Sequence, residues 1–194
     1  MNYLDKLINI SSESIKKTID VKLPLELKKL YSIKNGFIAF ENTLRIYDTD
    51  TMLNINRLIQ EELCIEGLFF GDNSLGDGFC IKDDEFYKYD FELGELEFIG
   101  KGIEEFSCIL LSKYNYYTGY SLAKEWMETN KKLEVDHILM PIIPFSLGGE
   151  YSVENLVSYS RYKGIKIKTN FCKKISKYGD GMQINLEDVY NLRG

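Results

Sequence analysis

Short apolar runs separated by turn dipeptides set the strongest constraint on what this chain can fold into. Phe79-Cys-Ile81, Phe86-Tyr-Lys-Tyr89 and Leu96-Glu-Phe-Ile99 are each too short for a stable helix, and Asp83-Asp84 and Leu93-Gly94 lie between them. Aromatic and β-branched runs of this length, joined by tight turns, predict an antiparallel meander. Phe69-Phe70 opens the strand before it, and Phe37-Ile-Ala-Phe40 and Leu44-Arg-Ile-Tyr47 read as two further short strands around Glu41-Asn42. The sheet is therefore built mainly by neighbours in sequence.

Helical spacing appears on both sides of this region. Leu23, Leu27, Leu30 and Tyr31 share one face, with Pro24 tolerated in the first turn and Asn35-Gly36 as a left-handed stop. A weaker helix is predicted around Leu4 to Ile10, one over Leu53 to Ile65, one over Ile103 to Leu111 and one over Leu122 to Lys131. Glu104-Glu105 suit the start of the third of these, where carboxylates complement the helix dipole. Tyr114 to Tyr120 reads as an aromatic connection, and a loop holding His137, Pro141 and Pro144 follows Lys131. Beyond it come a Gly148-Gly149 turn, a short alternating strand at Ile165-Lys-Ile-Lys168, a helix near Phe171 to Tyr178, an Asp180-Gly181 turn and a last strand at Met182 to Leu186. The expected organisation is a lead-in over 1–22, an α+β core over 23–132, and a C-terminal α/β extension over 133–194 packed on that core.

Charge is unevenly placed. Between Asp72 and Glu97 there are nine acidic and two basic residues, a local net of −7 where the whole chain carries −6. Residues 1–112 hold 12 basic and 21 acidic side chains, and residues 113–194 hold 12 and 9. An acidic first part disfavours nucleic acid or an anionic membrane as its partner and suits a basic protein. From charge alone the hairpin has two readings, a solvated face that keeps a sheet edge soluble and an electrostatic docking surface.

Several chemistries are excluded or weakened. One histidine, His137, forbids a multi-histidine metal site and leaves a Ser-His-Asp arrangement only one place to form. Cys64, Cys80, Cys108 and Cys172 lie far apart, as reduced, small hydrophobes of a cytoplasmic protein do. No apolar run approaches the roughly 18 residues that span a bilayer, and the opening Met-Asn-Tyr-Leu-Asp-Lys-Leu-Ile-Asn lacks the apolar core of a secretion signal. Gly71-Asp72 and Gly76-Asp77-Gly78 invite a ligand-loop reading, but no Gly-Lys-Ser/Thr follows and the flanking charge repels phosphate. They are expected to be tight turns needing positive φ. Asp72, Asp77, Asp83 and Asp84 lack the ligand alternation of a calcium loop. Tyr114, Tyr116, Tyr117 and Tyr120 could stack bases or line an interface, but aromatic packing where a helix begins is the favoured reading, and Trp126 at helical spacing is expected in the core. Lys163, Lys166, Lys168, Lys173, Lys174 and Lys177 form a basic stretch that binds an anion, pairs with the acidic sheet, or is simply solvated.

The order of motifs resembles the SUKH superfamily, the type that includes a yeast cell-wall assembly regulator. Leu23-Pro24, Leu30-Tyr31 and Asn35-Gly36-Phe37 are similar to its opening. Phe70-Gly71-Asp72, Leu75-Gly76, Phe79-Cys80-Ile81 and Tyr87-x-Tyr89-Asp90 resemble its central hairpin, and Ile103-Glu104-Glu105-Phe106 its following helix. Tyr117-Thr-Gly-Tyr120, Glu125-Trp126, Pro144-Phe-Ser-Leu-Gly-Gly-Glu-Tyr151 and Asn155-Leu156 resemble a bacterial subgroup with a C-terminal extension. The chain departs from the pattern at Phe106, where tryptophan is expected, and in its basic tail. The resemblance implies one mixed, mostly antiparallel sheet flanked by helices, no catalytic residues and no cofactor. It implies a non-enzymatic immunity protein that occludes a cognate, basic toxin domain, of a class that includes nucleases. Asp83, Asp84, Glu85, Asp90, Glu92, Glu95 and Glu97 are then the expected contacts, with Phe86 or Tyr87 as aromatic anchor. The alternatives are a regulatory or scaffold module for an endogenous partner, and an enzyme using the Gly-Asp loop with a metal or anion.

Overall fold

The computed structural model describes residues 1–15, 21–63, 65–179 and 182–192. Cys64 and the expected turn at Asp180-Gly181 lie outside the described residues. The fold is α+β, built on a six-stranded sheet in the order of the sequence: β1 (Phe37–Ala39), β2 (Leu44–Ile46), β3 (Leu68–Asn73), β4 (Gly78–Lys82), β5 (Glu85–Asp90) and β6 (Glu95–Lys101). Every neighbouring pair is antiparallel, so the sheet is not mixed. Four of the five connections are too short for a parallel crossover, which needs a dozen or more residues, and the fifth, which carries a helix between β2 and β3, also returns antiparallel. A second, two-stranded antiparallel sheet pairs β7 (His137–Pro141) with β8 (Leu156–Ser160), so His137 stands on a strand rather than in a loop.

Helices cover both faces of the large sheet. Successive strand residues point to opposite sides. Phe70, Phe79 and Phe86 meet Phe106 of α4 (Gly102–Ser112) on one side. Phe69, Tyr89 and Phe91 gather on the other, where the Tyr89 hydroxyl reaches Cys172 of α7 (Arg161–Ile175). Phe106, at the position where the resemblance anticipates tryptophan, is fully buried at the centre of the first cluster. The helices α1 (Tyr3–Asn9) and α2 (Leu25–Tyr31) join α4, and α3 (Thr49–Glu62) packs on α7. Asp48 caps α3 by accepting from the N–H groups of Asp50 and Thr51.

The polypeptide after α4 is where the sequence expectations need most correction. Tyr114 to Tyr120 is not an open connection: α5 (Tyr114–Thr118) and α6 (Tyr120–Thr129) are hinged at Gly119, whose φ is +67°. Ile165-Lys-Ile-Lys168 is not a strand but the interior of α7. The buried positions of that helix, Arg161, Gly164, Ile165, Lys168, Thr169, Phe171 and Cys172, recur every three or four residues. Two of them are charged, which hides the apolar stripe. Met182 to Asn185 is irregular and leads into a single turn, α8 (Leu186–Val189), rather than a strand. This segment shares the main core through Ile138, Met140, Ile165, Phe171, Val189 and Tyr190. A smaller cluster joins Leu75 and Trp126 to Leu139 and Leu156, with the Trp126 indole N–H donating to the Leu156 carbonyl. No helix of the described residues is long and apolar enough to cross a membrane.

Candidate interaction surface

Of the two Gly-Asp sequences, only the second forms a turn. Gly71 and Asp72 lie within β3, and φ at Gly71 is not positive. Glycine is required there because a Cβ would sit 2.6 Å from the Arg45 carbonyl oxygen of the adjacent strand. Gly76, with φ +79°, does make a left-handed turn between β3 and β4. Asn73 ties that turn by accepting from the N–H groups of Leu75 and Asp77, both at 2.9 Å.

The carboxylates of this region divide into two populations. Asp72 is fully buried, ion-paired with Arg161 at the start of α7, and also accepts from the Tyr47 hydroxyl at 2.9 Å. Asp77 meets the buried Lys168 ammonium at 3.2 Å, and Glu92 approaches the same ammonium at 3.9 Å while accepting from Ser146 N–H. Burial opposes the charge on Lys168, but Asp77, Glu92 and Asp90 outweigh it and hold its pKa above the ordinary lysine value. Thus two cations of α7 are internal partners of the sheet. Lys173, in the same helix, reaches Glu62 at 3.4 Å near the surface.

The second population is spread over the β4–β5 turn and along β5 and β6. Asp83 and Asp84 form the exposed two-residue turn between β4 and β5, both with positive φ, 51° and 61°. That is the geometry of the hairpin turn whose twist suits paired strands. Glu95 is exposed on β6. Glu85 is partly exposed, and the Tyr87 hydroxyl at 2.7 Å, followed by Lys101, draws its pKa down. Asp90 is partly consumed in closing the next turn, accepting from the N–H groups of Glu92 and Leu93. Glu97 is shared among the Tyr116 and Tyr117 hydroxyls and Lys88. The local excess of charge therefore reaches solvent mainly through Asp83, Asp84 and Glu95.

Phe86 cannot be a surface anchor, because it is completely buried against Phe70 and Phe106. Tyr87 is partly exposed and packs edge-on against Phe98 with ring centroids 5.7 Å apart. The exposed apolar groups are instead Leu96 and Phe98 on β6, 39% and 47% exposed, with Leu93 in the preceding turn. The sequence signal for them was the alternation Glu95-Leu96-Glu97-Phe98, which places both apolar residues on one side of a strand.

The edges of the large sheet differ as well. At β1, Ser12 N–H donates to the Ile38 carbonyl at 2.8 Å and its hydroxyl accepts from Ile38 N–H at 3.1 Å, so the N-terminal segment covers the edge. At the opposite edge β6 pairs only with β5 among the described residues. An uncovered edge offers backbone donors and acceptors to another chain. Among the described residues, no group of three or more His, Cys, Asp or Glu is placed to hold a metal ion.

No protein-family model matches the chain, and no curated protein matches it. Among solved structures it is similar to Atu4351 from Agrobacterium tumefaciens, at 15% identity and a TM-score of 0.55, covering 86% of this chain and 88% of that one. At that identity the likeness extends to the fold alone.

Proposed function

We propose that this chain is a non-enzymatic binding protein of the SUKH type, an immunity protein that occludes a cognate bacterial toxin in the cytoplasm. One observation carries the reading: the open edge strand β6 exposes Leu96 and Phe98 beside the Glu95 carboxylate, with the exposed acids Asp83 and Asp84 at the other end of the same hairpin. Exposed acids of one sign accelerate encounter with a basic partner, and a partly exposed aromatic supplies the short-range energy. The motif order from Leu23 to Leu156 that resembles the superfamily supports the toxin as partner, in preference to an endogenous protein.

The test is co-purification with the folded product of the adjacent gene, at low and at high salt. A complex is expected at both, forming faster at low salt. Phe98→Ser should weaken it by about 30-fold or more, the scale of an interface hot spot, while leaving the fold intact by circular dichroism. Absence of a complex at either salt overturns the proposal, and retention of full affinity by Phe98→Ser removes β6 from the interface.

A further inference from the structure

A cavity of about 260 Å³ lies where the β3–β4 and β5–β6 turns meet α7 and the single 3₁₀ turn Phe145–Leu147. Leu75, Leu93 and Phe145 give it apolar walls, and Asp77, Asp90, Glu92 and Lys168 line its polar part. Asp90 is the cross-strand partner of Glu95, so the cavity stands at the Glu95 end of the open edge. Asp77, Glu92 and Lys168 are each more than nine-tenths buried, yet their pairing is incomplete. Lys168 Nζ donates to the Asp77 carboxylate at 3.2 Å, but Glu92 Oε1 stands 3.9 Å from it, beyond hydrogen-bond length. Glu92 accepts from the Ser146 N–H through Oε2, and no donor among the described residues reaches Oε1. That oxygen is not among the side-chain atoms sealed from solvent without a partner, so it opens onto the cavity that Glu92 lines. Asp90 likewise accepts the N–H groups of Glu92 and Leu93 through Oδ1 and leaves Oδ2 open.

Three carboxylates thus face one ammonium, and the next cation, Lys88, is held by Glu97 at 3.3 Å. A buried carboxylate with an unfilled oxygen costs free energy until a donor reaches it. The surplus of negative charge selects a cation, and the apolar walls select one carried on a hydrocarbon stem. Among the described residues these acids are not placed to hold a metal ion, because their oxygens ring the cavity rather than converge. A guanidinium presents five N–H donors in a flat fork and reaches acceptors at separate points, whereas an ammonium concentrates its charge at one. We propose that this cavity receives an arginine side chain of the partner protein, its guanidinium bonded to Glu92 Oε1 and Asp90 and its methylenes packed on Leu93 and Phe145. Arginine is among the residues that most often anchor an interface from a pocket. That the guanidinium belongs to the partner rests on the docking surface proposed above; the cavity's choice of a guanidinium does not.

Titration of the full chain with N-acetylarginine methylamide at constant ionic strength, followed through the backbone N–H resonances of Glu92, Leu93 and Ser146, tests the cavity. The lysine counterpart is the ammonium arm and the norleucine counterpart the uncharged control. Saturable shifts are expected with arginine, binding about tenfold weaker with lysine, and no shift with norleucine. Asp90→Asn keeps the Oδ1 that closes the turn and removes the charge, and should weaken arginine binding about tenfold, the loss of one charge-assisted bond. Glu92→Gln should do the same. If either variant does not fold, the order of the three probes on the wild type decides alone. Equal binding of the three probes, shifts that do not saturate, or full arginine affinity in both variants would overturn the cavity. In the complex with the adjacent gene's product, Asp90→Asn should act mainly by raising the dissociation rate, as loss of a buried contact does and loss of steering does not. An unchanged dissociation rate removes the partner's arginine from the cavity and leaves the docking surface standing. A bound probe with no complex overturns the partner as its source and leaves the cavity standing.

Discussion

Asp72 and Asp77, the inner pair, and Asp83, Asp84 and Glu95, the outer group, look alike in the sequence and differ completely in burial. The inner pair is buried against Arg161 and Lys168 of α7 and clamps the C-terminal segment to the sheet. The outer group stands in solvent around a two-residue turn and an open edge strand. A run of like charge in a sequence thus measures how many carboxylates are present, not how much negative field the surface carries. The inner acids are locks and the outer ones remain available to a partner, and substitutions can separate the two roles.

The largest effect is expected at Asp72→Ala, which leaves the Arg161 guanidinium buried and unpaired. Removal of one member of a buried ion pair costs about 3–5 kcal/mol, read as a lowered urea midpoint. Exchange of both partners for apolar residues of similar size should recover most of the loss, because such pairs are often no better than a hydrophobic isostere. Next comes Lys168→Met, which strands Asp77 and Glu92 and is expected to cost about 3 kcal/mol. The same lysine gives a pH signature. Its folded pKa is raised, so its contribution is complete below the unfolded value of about 10.4. That contribution is lost only as pH rises through the higher folded value. The wild type should lose stability on that alkaline limb more steeply than Lys168→Met.

Among the exposed acids the expected changes are small and one has the opposite sign. Asp84 holds a φ of 61° that glycine adopts without strain, so Asp84→Gly should stabilise the hairpin by about 0.5 kcal/mol. Joint replacement of Asp83 and Asp84 by Asn and of Glu95 by Gln should change the unfolding free energy by no more than about 0.5 kcal/mol. It should nevertheless slow association with a basic partner and flatten the salt dependence of the on-rate. A stability loss as large as that of Asp72→Ala would erase the distinction between the two groups.

Sequence reading located the meander and its flanking helices well, because each strand is short, aromatic and bounded by a turn, and each helix carries an apolar face. It failed where buried positions are charged. Arg161 and Lys168 lie on the inward face of α7, so the helical period there is invisible to a count of apolar residues, and Ile165-Lys-Ile-Lys168 passes for alternation. Gly71-Asp72 reads as a turn from composition, yet its glycine answers to the close approach of β2, which only the paired strands reveal. Among the residues expected at the interface, Asp83, Asp84 and Glu95 are exposed, whereas Phe86 and Glu92 are drawn inward by partners distant in sequence, Phe106 and Lys168. The exposed Leu96 and Phe98 were legible as alternation but stand out only once β6 is known to be an edge.

Hydrogen–deuterium exchange of the chain, alone and in complex with the adjacent gene's product, bears on the central claim most directly. Slowed exchange along β6, Glu95 to Lys101, and at the Asp83-Asp84 turn is expected on complex formation, with the β7–β8 sheet unchanged. A stable complex in which β6 exchanges as it does in the free protein, and protection falls elsewhere, would contradict it.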